Sequence, residues 1–199
     1  MIAETRALLT RHGQSEWNAL GRWQGQADPP LSDLGRRQAH EAARSLGSVD
    51  AIWSSDLRRA AETAVIIGDD LGGGPVVLDA DLRERDAGDW TGLTRAEIEQ
   101  RYPGFLPDGR RPPGWESDEL LLARAHRTLR RIADATPGGD VLVITHAGVV
   151  FTVERHLGLD RTRLANVQGR WVTVAGDRLR LGDRVLLADP EDVTVPRQM

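Results

Sequence analysis

Histidine and arginine side chains follow three short apolar segments of the chain. Arg11 and His12 come directly after the first segment, Arg59 lies shortly after the second, and His146 directly follows another. Neutral imidazoles can act as nucleophiles, and guanidinium groups bind oxyanions through paired N–H donors. If the segments are parallel strands of one sheet, their carboxyl ends meet at the edge where open α/β folds bind ligands. The pattern therefore predicts a phosphoryl-binding site at that edge.

The elements that must position these residues alternate between short apolar segments and helical patterns. The predicted strands are residues 7–10, 51–54, 76–78 and 141–145, followed by edge strands at 171–175 and 184–188. The predicted helices are residues 32–46, 56–71, a short one after Thr94, a long one after Ser117, and 148–157. Such alternation is typical of βα units. We expect an α/β three-layer sandwich, with a mostly parallel central sheet and helices on both faces.

Length and composition limit the class of protein further. The chain has 199 residues, a net charge of −4 and no cysteine, and all 26 of its basic residues are arginine. Thiolate catalysis and cysteine-based metal sites are therefore excluded, and a generic nucleic-acid or membrane binder is disfavoured by the charge. We expect one catalytic domain over residues 1–189, a mobile tail at 190–199, and a cytoplasmic location.

Four ordered blocks resemble the signature of the histidine phosphatase superfamily, the phosphoglycerate mutase-like enzymes. The blocks are LTRHGQSEWN at residues 9–18, SSDLRRA at 54–60, LRE at 82–84 with GDWTG at 88–92, and THAG at 145–148. The chain departs from the family pattern at Thr91, where glutamate is usual, and at Trp115, where a glycine is common. Both departures are expected to alter the substrate pocket and leave the phosphate chemistry intact.

The resemblance implies a reaction path through the histidine of the first block. It implies that His12 is the nucleophile and becomes phosphohistidine, and that Glu84 is the proton donor. The chemistry of these residue types agrees, because a neutral imidazole can attack phosphorus and a leaving alkoxide needs a proton. By residue type alone, Glu84 could not have been chosen over the acids beside it.

The remaining pocket residues also come from the resemblance. Arg11 and Arg59 are implied to clamp the phosphoryl oxygens, and His146 to donate to the same oxygens. Asn18 and Gln24 are implied to line the pocket. No cofactor and no metal are expected, since arginines can neutralise a phosphoryl group and no metal-ligand spacing such as H-E-x-x-H occurs.

The sequence does not decide the role of two tryptophans in loops near the predicted site. Trp23 and Trp115 could contact the substrate, because an indole offers an apolar face and one N–H donor. They could equally pack their own loops onto the domain. His40, His126 and His156 lie within predicted helices among charged neighbours, and we interpret them as surface or packing residues.

Three functions are compatible with these residues. We expect a metal-independent phosphomonoesterase that hydrolyses a small phosphorylated metabolite, with a small-molecule phosphate ester as its partner. The first alternative is a phosphoglycerate-type mutase that uses the same phosphohistidine; the short segment between Glu84 and Ser117 disfavours it, because a mutase needs a lid. The second is a non-catalytic phospho-ligand binding module, which would have lost site residues. The sequence leaves open whether the chain forms a homodimer.

Overall fold

The computed structural model describes residues 3–160 and 162–189. Its six strands are β1 (Thr5–Arg11), β2 (Ala51–Ser54), β3 (Val76–Leu78), β4 (Asp140–Thr145), β5 (Gln168–Ala175) and β6 (Arg178–Leu186). Its helices are α1 (Glu16–Ala19), α2 (Asp33–Ser45), α3 (Arg58–Asp70), α4 (Arg95–Arg101), α5 (Asp118–Ala135) and α6 (Ala147–His156). The tail predicted for residues 190–199 lies outside the described part of the chain.

The six strands form one sheet in the order β3-β2-β4-β1-β5-β6. Strands β1 to β4 pair in parallel, whereas β5 runs antiparallel to β1, and β6 antiparallel to β5. The α/β fold predicted from the sequence is therefore confirmed, with a mixed sheet. Because β1 and β4 are adjacent and parallel, their carboxyl ends lie side by side at one edge, with Arg11 opposite Thr145.

Alternating residues of β1 pack the sheet against helices on both sides. Leu8 belongs to the core that includes residues of α2 and α3, while Leu9 belongs to the core that includes residues of α5 and α6. Both leucines are fully buried. Since successive side chains of a strand point to opposite faces, a buried apolar pair at consecutive positions requires a covered sheet on both sides.

The helices begin where the sequence predicts N-caps. Ser32, Thr94 and Ser117 each accept a backbone N–H of the first helical turn through the side-chain oxygen, and Thr94 forms a full capping box with Glu97. These caps satisfy N–H groups that would otherwise lack partners. The three predicted helix starts are confirmed.

Three predictions about secondary-structure elements were wrong. The strand expected at residues 171–175 spans Gln168–Ala175, and it is not an edge strand, because β1 and β6 pair with it on either side. The last strand spans Arg178–Leu186, not residues 184–188, because a tight turn at Gly176 (φ 60°) and Asp177 folds the chain straight back onto β5. The first residues of this strand are polar, because it is an edge strand whose side chains are largely exposed. The sequence therefore shows no apolar pattern that would mark where the strand begins. The helix α1 was missed altogether, because it has only one turn and lies where a loop was expected.

Candidate active site

A cavity of about 560 Å³ opens at the carboxyl-end edge of the parallel strands. Eight of the nine predicted site residues line it: Arg11, His12, Asn18, Trp23, Gln24, Arg59, Glu84 and Trp115. The ninth, His146, is fully buried, and its ring centroid lies 5.1 Å from that of His12. The fold thus brings together residues that are up to 135 positions apart in the sequence.

The ring of His12 is held in one orientation by the backbone that follows it. Its Nδ1 lies 2.6 Å from the carbonyl oxygen of Gly13, and the Nε of Arg59 lies 3.3 Å from its Nε2. A carbonyl only accepts hydrogen bonds, so we assign the proton to Nδ1 and the lone pair to Nε2. Burial, and next the charges of Arg59 and Arg11, hold the pKa of His12 well below 6.5. The imidazole is therefore neutral at pH 7, with the lone pair on Nε2.

Close backbone contact after His12 explains two glycines. A Cβ on Gly13 would lie 2.5 Å from the carbonyl oxygen of Gly35, and a Cβ on Gly35 would lie 2.0 Å from that of Gln14. Real Cβ atoms do not approach backbone oxygens so closely, so any larger residue would push α2 away from the strand end. Gly13 thus allows the first turn of α2 to pack against the segment that carries His12.

The two predicted phosphate-binding arginines are buried and held by carbonyl groups. Arg59 donates to the carbonyls of Gly25 (2.9 Å) and Ala27 (2.7 Å), and Arg11 donates to that of Leu164 (2.7 Å). Desolvation by burial lowers the pKa of each guanidinium to about 10, so both stay charged at pH 7. Since carbonyls orient them without neutralising them, their charge remains available to an anion.

His146 offers a further donor beside His12. Its Nε2 lies 2.9 Å from the Oγ of Ser55, which itself accepts the N–H of Leu57. We assign the Ser55 hydroxyl as the donor to Nε2, which places the imidazole proton on Nδ1. Burial, and then the charge of Arg59, lower the pKa of His146 well below 6.5. Ser55 belongs to the SSDLRRA block of residues 54–60, but the sequence alone did not predict its contact with His146.

Besides the indole nitrogen of Trp23, two buried nitrogen atoms of the predicted phosphate-binding residues have no hydrogen-bond partner within the described residues. They are the Nδ1 of His146 and the Nε of Arg11. An unsatisfied buried donor costs about 1–3 kcal/mol, so such atoms usually have a ligand or water as partner. Their place among cationic and neutral donors fits the oxygens of a bound phosphoryl group.

Glu84 is fixed at the amino end of α6. Its Oε1 accepts the N–H of Arg85 (2.7 Å), and its Oε2 accepts the N–H of Gly148 (3.2 Å). A Cβ on Gly148 would lie 2.1 Å from Oε1, so only glycine leaves room for the carboxylate. Arg124, which the sequence analysis missed, donates to the carbonyl of Glu84 (3.0 Å) and anchors this segment to α5.

Asn18 and Gln24 are joined through the cap of α1. The backbone N–H of Ser15 donates to Asn18 Oδ1 (3.2 Å), and the Ser15 hydroxyl donates to Gln24 Oε1 (2.7 Å). These contacts use an oxygen of each amide and turn both side chains toward the cavity, which they line. The short helix that the prediction missed therefore has a function, since it positions two pocket amides.

A segment before β5 holds the backbone of His12 and was not predicted. Asn166 is fully buried, and its Nδ2 donates to the carbonyl oxygen of His12 (2.9 Å). The N–H of Val167 donates to the carbonyl of Arg11 (3.0 Å). Val167 has φ 49°, a left-handed conformation that a β-branched residue rarely adopts. Such strain persists only where the surroundings enforce it, and it often occurs at functional sites.

Trp23 and Trp115 both pack against a third tryptophan and line the cavity. Their ring centroids lie 5.2 Å and 5.5 Å from that of Trp90, at edge-to-face angles. Trp90 is fully buried and belongs to a small separate core. The packing role is thus observed for both residues, and contact with substrate stays a prediction.

Besides Arg22, which pairs with Glu97, three arginines that were not predicted line the outer part of the cavity: Arg85, Arg111 and Arg155. Arg85 and Arg155 both bind the carboxylate of Asp118. Arg85 directly follows Glu84, Arg111 lies in the loop before α5, and Arg155 lies in the last turn of α6. In a sequence with 26 arginines, nothing marked these three out.

The other histidines lie elsewhere. His40 Nδ1 lies 2.7 Å from Asp70 on the surface, and the rings of His126 and His156 stack edge to face at 5.3 Å. Within residues 3–160 and 162–189, no group of three His, Asp or Glu side chains is arranged to hold a metal ion. In the same part of the chain, no helix is long and apolar enough to span a membrane.

Comparison with known proteins gives one consistent result. Residues 7–178 match the family described as histidine phosphatase superfamily (branch 1). The chain is 39% identical to a glucosyl-3-phosphoglycerate phosphatase of Mycolicibacterium vanbaalenii, over 92% of this chain and 90% of that protein. It is 37% identical to a metal-independent phosphoserine phosphatase of Arabidopsis thaliana, over 73% and 66%. A solved mycobacterial glucosyl-3-phosphoglycerate phosphatase in complex with VO3 superposes with a TM-score of 0.79 at 32% identity, covering 91% and 98%.

Proposed function

Because the chain belongs to the histidine phosphatase superfamily, it is a phosphatase, and we propose that it hydrolyses a small phosphorylated metabolite through a phosphohistidine on His12. The observation that carries this proposal is the state of the His12 ring. Its Nδ1 is tied to the Gly13 carbonyl, and its Nε2 lone pair faces a buried guanidinium in the cavity. An anion drawn to Arg59 is thereby brought against the nucleophilic nitrogen.

The first step transfers the phosphoryl group to the enzyme. The Nε2 lone pair of His12 forms the N–P bond while the ester P–O bond breaks, and the leaving oxygen takes the proton of the Glu84 carboxyl group. Arg11 and Arg59 neutralise the phosphoryl oxygens, and His146 donates to one of them. The positive charge that develops on the phosphorylated imidazole is stabilised by the Gly13 carbonyl, which accepts a hydrogen bond from Nδ1–H.

The second step returns the enzyme to its starting state. The Glu84 carboxylate takes a proton from a water molecule, whose oxygen attacks phosphorus as the N–P bond breaks. His12 leaves as a neutral imidazole, and inorganic phosphate is released. Positioning and fixed charge account for both steps, so no metal ion is required.

The substrate is a small phosphate ester, as for the named relatives. Trp23 and Trp115 are expected to contact its leaving group, because both line the cavity beyond the phosphate pocket. We expect the enzyme to act in the cytoplasm. A homodimer stays a prediction that light scattering can test.

Replacement of the nucleophile tests the proposal. His12→Ala should lower kcat by much more than the ~10²–10³-fold loss that is typical of one missing charge-stabilising donor. The matched control is His40→Ala on the surface, which should keep the parent activity. Both are assayed with p-nitrophenyl phosphate and a panel of phosphorylated metabolites in excess EDTA. Acid-labile, base-stable phosphate should be trapped on the parent enzyme and be absent from His12→Ala.

The outcomes separate the alternatives. Residual activity within tenfold of the parent would show that His12 is not the nucleophile. Phosphate transfer to a second metabolite in place of water would identify a mutase. Ligand binding by the parent protein without release of phosphate would identify a binding module. Loss of activity in EDTA, restored by magnesium or zinc, would contradict the metal-free mechanism.

A further inference from the structure

The peptide group between Gly13 and Gln14 lies directly against the ring of His12. Its oxygen, the Gly13 carbonyl, accepts the hydrogen bond from the ring Nδ1–H at 2.6 Å. A peptide group is planar and trans, so its oxygen and its N–H point in opposite directions, and holding one end orients the other. Glycine restricts its own backbone less than any other residue, so Gly13 does not fix the direction of this carbonyl by itself. Contacts with other elements must hold the plane.

Gln38 of α2 holds the other end of the same peptide group. Its Oε1 accepts the backbone N–H of Gln14 at 2.8 Å. A backbone N–H can only donate, so the oxygen of the Gln38 amide faces it. The Gln38 side chain is fully buried and does not line the cavity. It was not predicted as a site residue, because one glutamine on the inner face of a helix carries no sign of its partner.

The contacts form one continuous chain of hydrogen bonds. The ring of His12 donates to the Gly13 carbonyl, and the N–H at the far end of that peptide donates to Gln38. Because oxygen and nitrogen of a peptide are conjugated, an acceptor on the N–H increases the negative partial charge on the oxygen. Bonds in such chains strengthen one another by about 10–30% each. Gln38 therefore makes the Gly13 carbonyl a better acceptor for the ring.

This carbonyl opposes the other influences on the His12 ring. Burial, and then the charges of Arg59 and Arg11, hold the pKa of His12 below its usual range, whereas the hydrogen bond with Gly13 raises it. In the proposed reaction the phosphorylated ring becomes a cation beside these two arginines. The negative partial charge of the Gly13 carbonyl thus matters most in the phosphorylated state.

A second side chain holds the preceding peptide group. Thr63 of α3 accepts the Gly13 N–H at 3.1 Å and donates to the carbonyl of Arg59 at 2.7 Å. Side chains of two different helices therefore fix the two peptide groups on either side of the Gly13 α-carbon. Of these two side chains, Gln38 is the one bonded to the peptide whose oxygen meets the ring.

We propose that Gln38 is a positioning residue for phosphoryl transfer, because it aligns and polarises the Gly13 carbonyl that stabilises the phosphorylated imidazole. The inference rests on the proposed function, since it requires a phosphohistidine on His12. Stabilisation of this cationic intermediate lowers the barrier to its formation and raises the barrier to its hydrolysis. A residue that merely holds the fold together would not affect the two steps in opposite directions.

The variant Gln38→Met tests the inference on the full chain, because methionine fills a similar volume without an oxygen acceptor. With enzyme in excess over p-nitrophenyl phosphate, nitrophenolate release reports the formation of phosphohistidine, and the decay of base-quenched phosphoenzyme reports its hydrolysis. The formation rate should fall about tenfold, the effect of weakening one hydrogen bond to a charged group. The hydrolysis rate should stay equal or rise.

Further variants separate this role from a loss of stability. Gln38→Glu keeps an oxygen acceptor on the same side chain and should retain most of the parent formation rate. The matched control is Thr5→Val at the opposite end of β1, where a buried hydroxyl also accepts a backbone N–H, that of Gly138 at 3.2 Å. It should lower stability and change neither rate. If Gln38→Met does not fold, Gln38→Asn takes its place, because asparagine withdraws the oxygen but keeps the buried amide.

Proton NMR gives a readout that does not depend on turnover. The Nδ1–H of His12 should give a downfield ring-proton signal, which His12→Ala identifies by its absence. Weakening the acceptor in Gln38→Met should shift this signal upfield. Thr5→Val should leave the signal where it is in the parent protein.

Failure of the inference differs from failure of the proposed function. An unshifted ring-proton signal in the folded Gln38 variant, or formation and hydrolysis rates that fall together, would overturn the role of Gln38 alone. Equal losses in Gln38→Met and Gln38→Glu would also overturn it. Absence of phosphohistidine from the parent enzyme at every time of quenching would overturn the proposed function itself.

Discussion

The inner and outer parts of the cavity hold arginines in different ways. In the inner pocket Arg11 and Arg59 are buried, and carbonyl oxygens fix their guanidinium groups without cancelling the charge. In the outer part Arg111 and Arg155 are exposed, and the carboxylate of Asp118 pairs with Arg155. The inner cations are already oriented for one ligand geometry, while the outer ones can adjust to ligands of different length.

This difference in burial indicates two roles: the buried arginines serve phosphoryl transfer, and the exposed arginines serve the choice of substrate. Phosphoryl transfer needs charges that do not move during the reaction, and burial among backbone dipoles provides them. Selection among esters needs contacts remote from phosphorus, which exposed side chains on loops and helix ends can supply. We therefore expect inner-pocket variants to affect kcat for all esters and outer variants to affect KM for some.

The largest effect is expected for Glu84, the proposed proton donor of the inner pocket. Glu84→Gln should lower kcat/KM for alkyl phosphates by about 10²–10⁴-fold, the usual contribution of a positioned acid. The loss on p-nitrophenyl phosphate should be much smaller, because nitrophenolate leaves without a proton. Asp86→Asn, at an exposed neighbouring acid, is the matched control and should affect neither substrate. Equal losses on both substrates would mean that Glu84 has a structural role.

A smaller effect should follow from loosening the backbone of the nucleophile. Asn166→Ala removes the 2.9 Å hydrogen bond to the His12 carbonyl and leaves that buried oxygen unsatisfied. We expect a loss of about 1–3 kcal/mol in the free energy of unfolding and a fall of about tenfold in kcat. Gln168→Ala removes a bond to Ala165 in the same segment and should lower stability without lowering kcat. If both variants kept the parent kcat, the segment would be structural only.

The last expected effect is on stability alone and concerns its dependence on pH. His12 and His146 are buried with pKa values well below 6.5, so the folded state stays unprotonated where the unfolded state binds protons. The free energy of unfolding should therefore fall as the pH falls from about 7 to 5, by up to about 1.4 kcal/mol per pH unit for each histidine. Urea unfolding of the parent and of His12→Gln measures this slope. The variant should show a shallower slope, and identical slopes would contradict the burial of a neutral His12.

The elements that carry the phosphate pocket could be predicted because their signals are local. Ser32, Thr94 and Ser117 stand just before helical patterns, and their caps depend on neighbours three positions away. The buried strands were found from apolar runs, since both of their faces are covered. The edge strand β6 was misplaced because an exposed strand has no apolar pattern to mark its bounds.

Contacts between distant elements could not be predicted in this way. The bond from Asn166 to His12 joins residues 154 positions apart, and the bond from Arg124 to Glu84 joins residues 40 apart. Both are side-chain-to-backbone contacts, which any polar residue at the right place could make. No residue type or spacing in the sequence predicts these contacts, because they form only when the sheet and helices pack together.

The sequence by itself determined the fold class and the family, because apolar strand patterns and ordered motifs depend on consecutive positions in the chain. It also predicted the residues of the phosphate pocket. Only the tertiary structure decided which nitrogen of His12 is unprotonated, through the contacts of the ring with the Gly13 carbonyl and Arg59. It also decided that two of the chain's 26 arginines, Arg85 and Arg155, meet around the carboxylate of Asp118 in the cavity. Ring orientation and charge balance depend on atoms brought together from separate elements, and such distances are set by packing.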